Sequence, residues 1–198
     1  MREVINSHID IAIVSDTRLA ETEQVEARNT WNKLTSGHSI WSSFVCVLCK
    51  PNIGLILINQ HQNGRVLEID FYCQTNTNEK KRLYACYLPP STDQNALSLE
   101  SLASELRYSE HVFFGGDLNC VSDPSIDTWN SKRRNPYPGK KSLLEIAQNL
   151  KISDVYRRLY PEGGALSRID LAKSSGSRID TLFVSDEILK FLQKSKYL

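Results

Sequence analysis

No apolar run in this chain is long enough to cross a bilayer. The longest, such as Gly54-Leu-Ile-Leu-Ile58, fall far short of the roughly 20 residues a spanning helix needs. The first residues, Met1-Arg-Glu-Val-Ile-Asn-Ser-His8, contain no apolar h-region, so no secretory signal is expected and the expected setting is intracellular, the nucleus included. Charge of one sign is also lacking. With 24 Lys and Arg against 23 Asp and Glu the net charge is +1, which gives no global pull towards nucleic acid, so any such affinity must come from a local patch. Low-complexity segments and long linkers are absent too, and the 198 residues read as a single domain over 1–198. An even cysteine count is missing: the five thiols, without a signal, point to a reducing compartment. Cys46-x-x-Cys49 has no second ligand pair at zinc spacing and lies in an apolar strand, so small buried hydrophobes are expected there.

What is present is ordinary globular material, 40% hydrophobic and 24% charged. Ile9 to Val14 reads as a buried strand and Glu21 to Trp31 as a surface helix. Ser42–Leu48, Gly54–Asn59, Val66–Gln74 and Arg82–Leu88 follow as four strands separated by turn residues, and strands in succession favour antiparallel pairing. Beyond Pro89-Pro90, Gln94 to Tyr108 carries leucines at near-helical spacing. Residues 127–141 read as a polar loop, and Ser142 with Glu145 reads as a helix cap. Ile152–Tyr160 forms a short amphipathic piece, Thr181–Val184 a last strand, and Asp186–Lys196 a last helix. Two packed mixed sheets flanked by helices, an α/β sandwich of four layers, suit this order; a single mixed sheet with helices on both faces suits it as well.

The richest stretch is His111-Val-Phe-Phe-Gly-Gly-Asp-Leu-Asn-Cys120: an apolar strand, a Gly-Gly corner, then a carboxylate and a carboxamide. Asp117 and Asn119, two apart in extended chain, share a side and can converge on one target. Such a pair suits a metal-bound phosphate and its attacking water; an Asx turn after a buried strand is the plainer reading. Other polar residues stand at strand ends: Asp16, Tyr87 and Asp180. Gathered, three carboxylates, an amide and a phenol would favour Mg²⁺ or Mn²⁺ over zinc. Taken singly, Asp16 caps a turn, Tyr87 packs in the core and Asp180 pairs with Arg178.

Gly115-Gly-Asp-Leu-Asn119 resembles the GGDFN motif of the endonuclease/exonuclease/phosphatase superfamily, and Ser177-Arg-Ile-Asp180 before Thr-Leu-Phe-Val-Ser185 resembles its SRIDYI motif. Val14-Ser-Asp-Thr-Arg-Leu19 stands where the family has LQETHL, and Tyr84-Ala-Cys-Tyr-Leu-Pro89 where it has NVYAP. Gly54 to Ile58 matches its GVAILI strand. Ile152-Ser-Asp-Val-Tyr-Arg157 with Pro161 is similar to the LVDVWR…HP segment of non-LTR retrotransposon endonucleases.

The resemblance implies metal-dependent cleavage of DNA phosphodiesters by a retroelement-derived, AP-endonuclease-like domain, expected to be monomeric. Asp16 is the implied Mg²⁺ or Mn²⁺ ligand, Asp117 the group that orients or deprotonates water, and Asn119 and Tyr87 the phosphate contacts. Asp180 would orient a histidine. Lys132, Arg133, Arg134, Lys140 and Lys141 form a basic loop that would rest on the DNA backbone, or else a solvated charged loop.

Several positions depart from the family pattern. The ligand glutamate falls on Asp16, the asparagine of the tyrosine motif on Ala85, and the residue after that motif's proline on Pro90. Neither the first-strand asparagine nor the terminal Ser-Asp-His motif has a counterpart, and His8, His38, His61 and His111 fall elsewhere. The expected domain is thus incomplete at both termini. Two readings follow: an active endonuclease-like domain, or a catalytically dead remnant that at most binds nucleic acid weakly. A third, a phosphatase of inositol phosphates or sphingolipids, is opposed by the Asp-Val-Tyr-Arg segment.

Overall fold

The computed structural model describes residues 9–130 and 138–191. The chain divides into two compact units, Met1–Tyr87 and Leu88–Leu198.

In the first unit, β1 (Ile11–Ser15), β2 (Ser39–Trp41) and β3 (Val45–Cys49) form an antiparallel sheet in the order β1-β3-β2. β3 is buried at every residue, as an uninterrupted apolar strand at a sheet centre should be. The helix α1 (Glu21–Thr35) is longer than its polar sequence suggests. Its one buried residue, Trp31, packs with Trp41, Cys46 and Leu48, and the indole N–H donates to the Cys49 carbonyl at 3.3 Å. Cys46 and Cys49, three apart in a strand, face opposite sides and do not converge. Burial pushes their thiols up to about 12 and about 11, and no disulfide joins any of the five cysteines. β4 (Ile53–His61), β5 (Val66–Cys73) and β6 (Asn76–Tyr87) form an antiparallel meander, the pairing expected of consecutive strands with tight turns.

The second unit begins with α2 (Thr92–Glu105), whose Leu99 and Leu102 are buried while Leu97, counted in the helical stripe, is exposed. Then come β7 (Val112–Asp117), the two-residue β8 (Thr128–Trp129) and α3 (Lys140–Leu150). α3 starts before Ser142, with Gly139 at its N-cap, because the Leu143 N–H already closes a turn onto the Gly139 carbonyl. Lys140 and Lys141 therefore belong to the helix rather than to a loop. The segment 152–160 is not one piece. It splits into β9 (Ile152–Asp154) and α4 (Val155–Leu159), divided at Asp154, whose carboxylate accepts from the Arg157 N–H.

β10 (Arg168–Asp170) and β11 (Ser175–Ser177) form a hairpin completed by the two-residue β8. β12 (Asp180–Ser185) lies between β7 and β9, antiparallel to both, and α5 (Asp186–Leu189) follows. The expected extent of that helix to Lys196 lies outside the described residues. No described helix is long and apolar enough to cross a membrane.

Candidate functional site

In the first unit the chain leaves β1 through two left-handed residues, Asp16 (φ 59°) and Arg18 (φ 50°). Aspartate tolerates that region through its short polar side chain; arginine has no such excuse, so surrounding contacts must hold the bend. Thr17 supplies them: its N–H donates to the Phe44 carbonyl and its hydroxyl to the Ser43 carbonyl, both at 3.2 Å. The bend folds Arg18 back on Asp16 as a fork, with Nε 2.7 Å from Oδ1 and Nη2 3.2 Å from Oδ2. That bond is the chief reason the Asp16 carboxyl lies below its ordinary range. Burial opposes the shift, while the Tyr87 hydroxyl and the charges of Arg18 and Arg65 add to it.

Tyr87, the last residue of β6, is buried, and burial together with the bond to Asp16 raises its phenol. Its ring stacks at 6.2 Å on Phe44, and the Arg65 guanidinium lies over both rings, 4.0 Å from the Phe44 centroid and 5.5 Å from that of Tyr87. The Tyr87 N–H donates to the Arg65 carbonyl at 2.8 Å. The sequence singled out Asp16 and Tyr87, which the fold brings together; it gave no hint of Arg65 or Phe44, which reach Tyr87 from the turns just before β5 and β3.

In the second unit, Asp117 ends β7 and Asp180 begins β12, and the two are register partners. Residues directly opposite in an antiparallel pair project to one face, so these carboxylates are neighbours. Close strand approach requires the Gly-Gly corner. A Cβ on Gly115 would lie 2.4 Å from the Thr181 carbonyl, and Gly116 takes φ 129°. Asn119, left-handed at φ 45°, donates its N–H to Asp117 Oδ1 at 3.0 Å and one amide N–H to the Leu88 carbonyl at 2.9 Å. The Asx turn forms here, and Asn119 lies beyond the end of β7 in a left-handed turn rather than in extended chain. The buried Asn95 amide ties Pro89 to Leu118, and the Ser167 hydroxyl accepts from the Ile179 and Asp180 N–H groups, each at 3.0 Å. Neither residue was legible as a support from sequence.

The two copies of Ser-Arg-Ile-Asp diverge. Asp170 sits on the β10–β11 hairpin opposite Ser175 and accepts from Lys173, whereas Asp180 faces Asp117. Arg178 does not turn to Asp180 as its main partner. Fully buried, it clasps Asp127 (2.7 and 3.0 Å) and Asp154 (3.2 and 2.5 Å), and Arg157 joins at Asp127. Of the basic residues, Lys140 and Lys141 open α3, and Lys132, Arg133 and Arg134 lie outside the described residues.

Among the described residues no three His, Cys, Asp or Glu side chains gather as a metal cluster. Asp117 and Asp180, register partners, offer carboxylate oxygens on one face, the donor type suited to a hard divalent ion that keeps much of its water. Asp16 does not fit that role as it stands, since Arg18 engages both its oxygens.

No protein-family model matches this chain, and no curated protein matches it. Solved structures do. A 3′ phosphatase, NExo from Neisseria, bound to a product DNA hairpin, aligns with TM-score 0.69 at 16% identity over 98% of this chain and 82% of its own. An AP endonuclease from Archaeoglobus fulgidus aligns with TM-score 0.71 at 13% identity, over 96% and 81%. The endonuclease domain of TRAS1, a telomere-specific non-LTR retrotransposon, aligns with TM-score 0.65 at 12% identity, over 98% and 80%. At such identities the fold is what is shared. It is the AP-endonuclease fold, an α/β sandwich of mixed and antiparallel sheets with flanking helices, in agreement with the fold class expected from sequence.

Proposed function

We propose that this nuclease-like domain acts on the phosphodiesters of DNA, with the Asp117–Asp180 face as its reacting centre. The observation that carries this reading is the register pairing of the two carboxylates, with Asn119 turned back onto Asp117. Like charges directly opposite on a sheet face repel, which favours a cation between them. Asp117 and Asp180 would hold that Mg²⁺ or Mn²⁺, and the ion would supply charge neutralisation at the phosphate and a more acidic attacking water.

Asp117 orients that water or takes its proton. Asn119 spends one amide N–H on Leu88 and has a second to offer a phosphate oxygen. The buried Arg178 clasp and the Ser167 hydroxyl fix the backbone that presents Asp180. A structural neighbour bound to a DNA hairpin supports DNA as the partner, and Lys140 and Lys141 offer backbone contacts. The neighbouring retrotransposon endonuclease supports a retroelement origin.

The test is plasmid nicking with Mg²⁺ or Mn²⁺. Asp117→Ala should lower the rate about 10²–10⁴-fold, the usual loss on removing a general acid or base. Nicking untouched by that substitution would exclude this centre. A second reading, a domain that binds DNA without cutting it, is favoured by the Arg18 fork over the position of the expected metal ligand. DNA binding by the unaltered chain with no nicking in either metal would establish it.

A further inference from the structure

β4 is the outer strand of the meander. It pairs with β5 along one side, and among the described residues no strand pairs with the other. Along that free side backbone N–H and C=O groups point outwards, a template for one more strand. The side chains beside it are apolar: Ile56, Leu57 and Ile58 in succession are 38%, 40% and 47% exposed. Ile56 stands opposite Asp70 and Leu57 opposite Ile69, so the apolar surface covers both faces of the edge. Nothing charged guards it. From Pro51 to Gly64 the chain holds no Asp, Glu, Lys or Arg. The outer strand β10, by contrast, carries Arg168 and Asp170, with Lys173 just beyond. Charges of that kind keep sheet edges apart. The one irregularity in β4 is a bulge between Leu57 and Asn59, which shortens the length open to regular pairing.

We propose that this edge is a contact between two copies of the chain, β4 of one lying antiparallel to β4 of the other about a two-fold axis near Leu57. The absence of charge selects this occupant. In a two-fold antiparallel pair the strand meets itself, so a charge near the axis would face its own like. β4 brings no carboxylate, ammonium or guanidinium to that axis. Specificity for a foreign strand comes from charges and shaped pockets. An uncharged apolar edge matches best a strand as apolar as itself, and β4 of a second copy is one. Each copy uses its edge once, so association stops at two. A pairing that the bulge cuts short buries less than a standard interface of about 1,200–2,000 Å², so the dimer dissociates readily. The proposal departs from the monomer implied by the resemblance and is independent of the Asp117–Asp180 centre.

Sedimentation velocity of the full chain over a wide dilution series tests this. The unaltered chain should pass from monomer to dimer as concentration rises and go no further. Leu57→Lys, at an exposed position where the lysine head stays in water, should weaken association about tenfold or more, since it sets two like charges across the axis. Leu57→Glu should do the same. An equimolar mixture of the two variants should recover the dimer, because the facing charges then attract. Ile58→Lys serves as the second position if either variant is unfolded by circular dichroism. Amide hydrogen exchange should slow with concentration in β4 and stay constant in β10. A chain monomeric throughout, dimers that both substitutions leave intact, or a mixture no better than its components would each overturn the proposal. Growth beyond the dimer would overturn it too, as the mark of an open edge that aggregates. A monomeric chain whose β4 amides are protected only by an added apolar, strand-forming peptide would assign the edge to a peptide partner instead.

Discussion

Two arginine–aspartate assemblies, one in each unit, use the same groups to opposite ends. Arg18 on Asp16 is a single fork in water. Arg178 on Asp127 and Asp154 is sealed, with Arg178 and Asp127 at 0% exposure, and it joins residues far apart in the chain. In water an ion pair gains little beyond what hydration already gives, so Arg18 can leave its partner for another anion. Out of water each charge depends on the other, and removing one strands the rest. The exposed pair is thus built to exchange and the buried one to hold.

The comparison breaks most visibly at Asp127. Asp127→Ala leaves Arg178 buried without its main counter-charge and should cost about 3–5 kcal/mol, read as a lowered urea midpoint. A loss under 1 kcal/mol would mean that water reaches Arg178 and that the two assemblies differ less than their burial says. Acid should sharpen the same contrast. Burial tends to raise the Asp127 carboxyl, but the Arg178 bonds and charge outweigh it, and the net shift is downwards from 3.8. In the window below that value the unfolded chain binds the proton first, so stability is complete above about pH 4 and declines as pH falls towards the folded value. Circular dichroism at fixed urea should show this decline, and Asp127→Asn should flatten it. The smallest effect belongs to Arg18→Gln, which should leave the unfolding midpoint within experimental scatter.

The elements that the sequence disclosed are those with local causes. The β4–β5–β6 meander follows from strands broken by turn residues, and the Asp117 corner from two glycines after an apolar run. Of the two copies of Ser-Arg-Ile-Asp only the one ending in Asp180 leads straight into an apolar run, and β12 does begin there. The same tetrapeptide marks the limit. Arg168 is exposed and Arg178 buried, and what separates them is Asp127 and Asp154, brought in by folding. β8, β10 and β11 have two or three residues each, too few to show a period. Arg65 escaped notice for a similar reason, since it and Phe44 stand in turns before β5 and β3 and meet Tyr87, at the end of β6, only through folding.

The facing carboxylates also set an order of events during synthesis. The strands carrying Asp117 and Asp180 pair directly, yet they leave the ribosome roughly sixty residues apart, about 3–12 seconds at ~5–20 residues per second. The meander needs no such delay, because each of its strands pairs with the next to emerge, and short loops close cheaply. A ribosome paused between β7 and β12 would therefore display a chain whose meander has formed while the Asp117 strand still awaits β12.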